Sequence, residues 1–591
     1  MKELLTGNEA VARGAYEAGV TVASAYPGTP STEILENVAK YKEIYSEWAP
    51  NEKVALEVSI GASIAGARSL AAMKHVGVNV AADPLFTVAY TGVNGGLVLV
   101  TADDPGMHSS QNEQDNRNYA KFAKIPMLEP SDSQEAKEFT KIAYKISEEF
   151  DVPILLRLTT RICHSKGIVE LEDREQVEIK EYVKNIPKYV ATPANGRKLH
   201  VKLEEKLKKL EEFSNNTSLN KVEWYDKKIG IITSSVSYQY AKEVFGDNAS
   251  YLKLGFTYPL PKEKIKKFAN EVEKLYVIEE LDPYLETEIK AMGIEVIGKE
   301  LIPRVGELNP DIIAKTLLGE NKEVIEKNEE KVVGRPPTMC AGCPHRGLFY
   351  ELSKKKNVVV TGDIGCYTLG SAPPLEAMDT CICMGASISA GHGFSKAAQV
   401  NGRETKVFSV IGDSTFFHSG ITGLIDIVYN KGNAATIILD NRITGMTGHQ
   451  HNPGTGYTLM GEVTNEIDIV KICEAIGVKH IEVINPLNLK ETKAAIDKAM
   501  EVDEPMVIIT KWPCVLKKSP NEEIEEYGLA DRKICEVDQD KCKKCKMCLK
   551  VGCPAISFDS EKGAIIDDTM CVGCDVCLQV CPFDAIVKVG E

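Results

Sequence analysis

Two apolar, β-branched runs, Val407 to Ile411 and Ala435 to Leu439, constrain this chain more than anything else in it. Each breaks at a small polar pair, Gly412-Asp413 and Asp440-Asn441. Runs of that length and composition are buried parallel strands. The residues after them therefore sit at the carboxyl ends of strands, where open α/β sheets take their ligands. Asp413 and Asn441 are hard oxygen donors on two such loops, a set that suits Mg2+ completed by phosphate and water. Gly412 lets the backbone come close, and a helix expected over Ser419 to Tyr429 turns its N-terminal amides toward an anion. Taken alone, the pattern also describes two ordinary strand-end turns.

A chain of 591 residues has room for about three to five domains. A formal charge of −15, with no stripe of Lys and Arg to offset it, argues against a grip on nucleic acid. No apolar run reaches the roughly 18 residues of a membrane helix, and the first residues lack the apolar core of a signal peptide. The expectation is a cytoplasmic protein. Of 17 cysteines, the last stretch packs Cys542, Cys545, Cys548, Cys553, Cys571, Cys574, Cys577 and Cys581 into Cys-x2-Cys repeats. In a large chain that is metal or cluster chemistry, not a disulfide framework. The Cys-x2-Cys-x2-Cys spacing closed by Cys-Pro is poor for tetrahedral zinc and good for a cubane.

Residues 1 to 165 alternate helical stretches with short apolar strands such as Thr21 to Ala25 and Val152 to Leu156, which predicts a parallel sheet covered on both faces. Tyr26-Pro27-Gly28-Thr29 is a strand-end loop entering a helix, with Ser31 or Thr32 as its cap. Glu57 leads into the small-residue run Gly61 to Arg68, on a helix slim enough to pack tightly. The polar loop Asp103 to Asn118 is either surface or the border of a pocket, with His108, Gln111 and Asn112 as its candidates. Residues 166 to 225 are charged and linker-like around an amphipathic helix over Leu203 to Phe213. A second, smaller α/β unit spans residues 226 to 320, and the Lys/Glu tract Asn321 to Lys331 separates it from a domain over residues 335 to 520. The cysteine-rich tail fills residues 530 to 591.

The Gly412-Asp413 to Asn441 spacing resembles the diphosphate–magnesium motif of thiamine diphosphate enzymes. The Tyr-Pro-x-Thr-Pro loop and the Gly-Ala-x-x-Ala-Gly-Ala-Arg run resemble the pyrimidine-binding domain of 2-oxoacid:ferredoxin oxidoreductases. That resemblance implies cofactor contacts from Tyr26, Pro27, Gly28, Thr29, Gly412, Asp413, Ser414, Asn441, Ile443 and Thr447. Mg2+ would be held by Asp413 and Asn441, and Glu57 would be the acid that activates the aminopyrimidine. Residues 226 to 320 are similar to the family's transketolase C-terminal-like domain. The start of the next domain, Cys340-x2-Cys343-x-His345, is similar to the family's thiamine-domain opening. In many members such cysteines join a distant one to hold a proximal [4Fe-4S] cluster, which here implies Cys340, Cys343, Cys366 and Cys514; the alternative is four thiols packed as small apolar groups. Cys381 and Cys383 read as a structural, strand-borne pair.

The tail resembles a bacterial two-cluster ferredoxin, in which each run gives three thiolates to one cluster and its fourth to the other. The implied sets are Cys542, Cys545, Cys548 and Cys581 for a first cluster, and Cys571, Cys574, Cys577 and Cys553 for a second. The first run has four residues, not three, before Cys553, and the expectation is a loosened turn and a more fragile second cluster. The implied fold is α/β, with doubly wound thiamine-binding domains and an α+β ferredoxin-like tail. The implied activity is oxidative decarboxylation of a 2-oxo acid, with coenzyme A taking the acyl group and ferredoxin the electrons. The domain order resembles the branch of the family that acts on aryl 2-oxo acids with a separate small β subunit, as an αβ or α2β2 assembly. A family member acting on another 2-oxo acid, or a non-oxidative decarboxylase, are the alternatives; the latter has no use for the tail.

Overall fold

The computed structural model describes residues 1–320, 334 and 336–590. The Lys/Glu tract Asn321 to Lys331 lies outside them. The chain forms two compact units, residues 1–327 and 328–591.

The first unit is built on a seven-stranded sheet. From one edge it runs Phe256–Tyr258, Met127–Leu128, Ile154–Thr159, Leu97–Asp103, Ser69–Lys74, Val22–Ala25 and Tyr45–Trp48. All neighbours are parallel except the first pair. Strands Leu97–Asp103 and Ile154–Thr159 are buried at every position, as central strands covered on both faces must be. A four-stranded sheet of Lys274–Ile278, Ile229–Ser234, Ser250–Leu254 and Asn220–Glu223 completes the unit.

The stretch expected as a linker is more ordered than its composition suggests. Lys166–Glu170 pairs antiparallel with Lys2–Thr6. Pro193–Asn216 is one 24-residue helix that buries Leu199, Leu203 and Leu210. Thr192 caps that helix, accepting from the Asn195 amide, and Pro193 fits its first turn. The two sheets are tied by buried charge. Arg117 donates to Asp115 at 2.8 Å, to Glu279 at 2.6 Å and to the Glu280 carbonyl at 2.8 Å. Such a network is tolerable only because each charge is paired and hydrogen-bonded.

The second unit carries a six-stranded, wholly parallel sheet in the order Thr380–Cys381, Val358–Gly362, Lys406–Gly412, Ala435–Asp440, Met506–Lys511, His480–Ile484. Parallel pairing puts every carboxyl end at one edge, so the loops at Asp363, Asp413, Asn441 and Cys514 share it. The tail follows as two small antiparallel ribbons, Cys535–Val537 with Ile586–Lys588 and Ile556–Asp559 with Gly563–Ile566. Gln579 docks it on the sheet domain, accepting from the Leu489 amide at 2.9 Å and donating to the Leu487 carbonyl at 2.8 Å.

Candidate functional site

Asp413 and Asn441 end neighbouring strands whose register pairs Gly412 with Leu439. Asp413 is 3% exposed. Burial, and then the nearby Asp440, push its carboxyl up to about 7. A buried acid in that state, beside a second one, is the arrangement a cation relieves. The helix begins at Asp413 itself, not at Ser419, and runs on through Phe416–Gly420 to Ile421–Tyr429. Asn452, which the sequence reading missed, donates from Nδ2 to Asp413 at 3.1 Å.

Asn441 turns its Oδ1 to the Ile443 amide at 3.2 Å. Its Nδ2 lies 3.4 Å from Nε2 of His345, a buried ring whose pKa burial lowers to about 4 and which is therefore neutral. Thr444 donates to Ser414 at 3.0 Å, which ties the two loops together, and Thr447 donates to Gln450 at 2.6 Å within the second of them. A Cβ at Gly412 would lie 2.8 Å from the Tyr367 ring, so only glycine fits there. Donors, neutral ring and close backbone approach fit a Mg2+-bound diphosphate, which Asp413 and Asn441 would hold.

In the first unit the Tyr26–Thr29 loop is buried except for Thr29. Ser31 occupies the N-cap position of helix Thr32–Val38, but its hydroxyl accepts nothing from the helix; it donates back to the Gly28 carbonyl at 2.8 Å. Gly28 faces the Lys74 side chain. Burial brings the Lys74 ammonium down to about 8, while Asp104 and Glu52 act the other way. Lys74 donates to the Ser109 carbonyl at 2.7 Å, and the buried His75 lies 3.1 Å from the Asn112 carbonyl, so the polar loop does come to this strand end. It comes through its backbone. His108 is instead drawn to Glu307 at 3.2 Å, and Gln111 and the Asn112 side chain are exposed.

Glu57 faces solvent. Its side chain is 49% exposed and pairs loosely with Lys53 at 3.8 Å, one turn away on the same helix. The buried acid of that helix is Glu52, 5% exposed, packed so closely on Gly77 that a Cβ there would lie 2.7 Å from its side chain. Glu52 sits at the first helical position, just after the Asn51 cap, where the helix dipole favours a carboxylate.

The tail thiols ring two hollows. One is lined by Cys542, Cys545, Cys548 and Cys581, and the other by Cys553, Cys571, Cys574 and Cys577. These are the two crossed quartets. Cys535, a ninth tail cysteine outside both runs, also lines the second hollow, and its amide donates to Cys571 Sγ at 3.3 Å.

The extra residue before Cys553 does not loosen its turn. Gly552 takes it at φ +71°, and the buried Arg346 grips the carbonyls of Val551 and Gly552 at 3.0 and 2.5 Å. The same guanidinium holds the Met339 and Cys340 carbonyls at 2.8 and 3.0 Å.

Of the remaining thiols, Cys343 is buried, Cys366 and Cys514 half-buried and Cys340 exposed. Burial raises Cys366 to about 11, with Cys514 and Cys340 adding to it, so those three are electrostatic neighbours. Burial carries Cys343 to about 12, again with Cys366 and Cys340 adding. The Cys514 amide donates to the Asn441 carbonyl at 3.0 Å, which places it beside the Asn441 strand end. Cys381 and Cys383 are exposed, so packing does not account for them.

Three family models match the chain. Residues 13–209 match the thiamine-diphosphate-binding domain of pyruvate flavodoxin/ferredoxin oxidoreductases, 363–510 the C-terminal domain of thiamine pyrophosphate enzymes, and 564–587 a 4Fe-4S binding domain. An indolepyruvate oxidoreductase subunit IorA of Pyrococcus horikoshii is 43% identical, over 100% of this chain and 97% of its own length. That of Archaeoglobus fulgidus is 43% identical over 99% of this chain and 97% of its own. A 2-oxoglutarate synthase subunit KorA of Methanothermobacter thermautotrophicus is 23% identical over 54% of this chain and 98% of its own. No helix among the described residues is long and apolar enough to cross a membrane.

Proposed function

Because the chain belongs to the family of indolepyruvate oxidoreductase subunits IorA, an oxidoreductase family with thiamine-diphosphate and 4Fe-4S domains, we propose that it is the catalytic subunit of a ferredoxin-dependent oxidative decarboxylase of aryl 2-oxo acids. Its substrate is indolepyruvate and its products are indoleacetyl-coenzyme A, CO2 and reduced ferredoxin. A separate small subunit completes an αβ or α2β2 enzyme working in the cytoplasm. The observation that carries the reading is full-length similarity joined to an intact pair of strand ends, Asp413 and Asn441, and two hollows lined by the crossed cysteine quartets.

Bound thiamine diphosphate supplies a carbanion stabiliser for decarboxylation, and the clusters carry single electrons. The chain's own residues do the rest. Asp413 and Asn441 hold the diphosphate through Mg2+. The neutral His345 keeps the Asn441 amide oriented. We assign the pyrimidine-activating acid to Glu52 rather than Glu57. Glu52 is shielded from water and lies in the charge environment of Lys74, whereas Glu57 is solvated. Cys340, Cys343, Cys366 and Cys514 hold a proximal cluster at the edge of the sheet that carries Asn441.

The test is anaerobic turnover of the complex with thiamine diphosphate, Mg2+, coenzyme A and a low-potential dye, offered indolepyruvate, phenylpyruvate, hydroxyphenylpyruvate, pyruvate and 2-oxoglutarate in parallel. Aryl acids should lead the panel. Preference for pyruvate or 2-oxoglutarate would overturn the substrate, and CO2 release without dye reduction would overturn the oxidative reading.

A further inference from the structure

The two cluster hollows differ in what surrounds them. The hollow of Cys553, Cys571, Cys574 and Cys577 is lined by Ala341 and Gly342, from the loop between Cys340 and Cys343, and by the buried Arg346. It faces inward, toward the sheet domain. The hollow of Cys542, Cys545, Cys548 and Cys581 has Lys543, Lys544 and Lys546 on its wall and no carboxylate. All three lysines and Cys545 itself are exposed. Phe583, also on that wall, leaves 44% of its surface in solvent.

The neighbouring charges leave this collar positive. Lys541 is paired with Asp538 at 3.2 Å. Lys544 donates to the backbone carbonyl of Glu561 and lies within the charge reach of Asp559, and Lys546 lies 4.5 Å from the Phe558 ring centroid; among the described residues Lys541 is the member of this run held in a salt bridge. Lys550 is a further exposed cation on the same run. A cationic ring around a half-open cluster site stands out on a chain whose formal charge is −15. That net charge disfavours an acidic partner over much of the surface, whereas a positive collar at a cluster site draws it to the point where an electron can leave. An exposed aromatic at the rim supplies the apolar anchor that such contacts use.

We propose that Lys543, Lys544 and Lys546, with Phe583 beside them, form the docking surface for an acidic one-electron carrier protein of the ferredoxin type. It follows that the cluster of Cys542, Cys545, Cys548 and Cys581 is the exit and that of Cys553, Cys571, Cys574 and Cys577 the inner station. Each carrier accepts one electron from the exit cluster, so two carriers are reduced for each two-electron oxidation. This rests on the function proposed above, since it needs a chain that delivers low-potential electrons.

The experiment compares the wild-type complex with Lys543→Glu/Lys544→Glu/Lys546→Glu, measuring iron content, turnover with methyl viologen, and turnover with an acidic ferredoxin across a salt series. The expected result is unchanged iron and unchanged dye-linked turnover, with KM for ferredoxin raised about tenfold or more at low salt and a flattened salt dependence, in the range that electrostatic steering spans. An unchanged ferredoxin KM in an iron-replete variant would overturn the proposal. Zero-length carbodiimide cross-linking of the wild-type complex to ferredoxin decides the matter even where the triple variant loses iron. Links at Lys543, Lys544 or Lys546 support the docking surface, and links confined to other lysines refute it. Absence of dye-linked oxidation in the wild type would instead count against the functional reading, and the cross-link map would still judge the surface.

Discussion

Arg346→Ala tests whether the sheet domain holds the inner cluster's loop in place. Arg346 is buried and makes four hydrogen bonds to backbone carbonyls, those of Met339, Cys340, Val551 and Gly552. Two of these bonds, to Met339 and Val551, are fully buried, and two lie where water can reach. Removing the guanidinium strands the two buried carbonyls at about 1–3 kcal/mol each, while water repairs most of the other two. With the lost packing of the side chain, the cost comes to about 3–7 kcal/mol. That is a large fraction of the stability of an ordinary domain, and it falls on the turn that presents Cys553. The expected outcome is a urea midpoint lowered by an equivalent amount and, after anaerobic purification, roughly four irons fewer per chain. Arg346→Lys should recover part of both, since an ammonium has three donors but no planar fork. Full iron and a shift below about 1 kcal/mol in the alanine variant would show that the turn stands without this grip.

Glu52→Gln should keep the fold and cut turnover by about 10²–10⁴, the usual worth of a general acid–base group, whereas Glu57→Gln should leave turnover intact and cost less than about 0.5 kcal/mol; the reverse ranking in steady-state assays would restore Glu57. Asp413→Ala should abolish Mg2+-dependent binding of thiamine diphosphate, measured by calorimetry, with iron content unchanged, because a hard cation has few protein ligands to lose; retained binding would refute the assignment of Asp413. The intact protein should carry about twelve irons, falling to about eight in Cys514→Ala if four thiols hold a proximal cluster; a count near eight in the wild type would mean that they are packed thiols.

What the residues reveal on their own follows the range of the interactions. The strands ending at Gly412 and Asp440 are legible because a buried strand must be continuously apolar, and the break in that run marks its end. The cysteine quartets are legible because their spacing is local. The difference between Glu52 and Glu57 on which the proposed assignment rests lies in the helix phase. At 100° per residue, five positions separate Glu52 from Glu57 by about 140° around the axis. Glu52 shares its face with the buried Leu56, Ser59 and Ser63, while Glu57 shares its own with the exposed Gly61. The small-residue motif locates that helix but not its rotation. The grip of Arg346 on Val551 spans 205 positions, and nothing local announces it. For the same reason the extra residue before Cys553 reads as a defect until its partner is seen.

In the proposed reading the second unit builds its chemistry and its electron path from one sheet edge. Asn441 accepts the Ile443 amide on its side chain and the Cys514 amide on its carbonyl, so the proposed diphosphate ligands and the proposed last proximal thiol are fixed by neighbouring strand ends. From the Cys340–Cys343 loop, Arg346 carries the same rigidity to the turn of Cys553, and the antiparallel ribbons of the tail carry it to the exposed Cys545. A free tail on a flexible linker would make each electron step wait for a chance encounter; a tail held by buried hydrogen bonds keeps its donor and acceptor sites at fixed separations. The extra glycine before Cys553 is then part of the coupling, because it bends the loop far enough for one guanidinium to hold both sides.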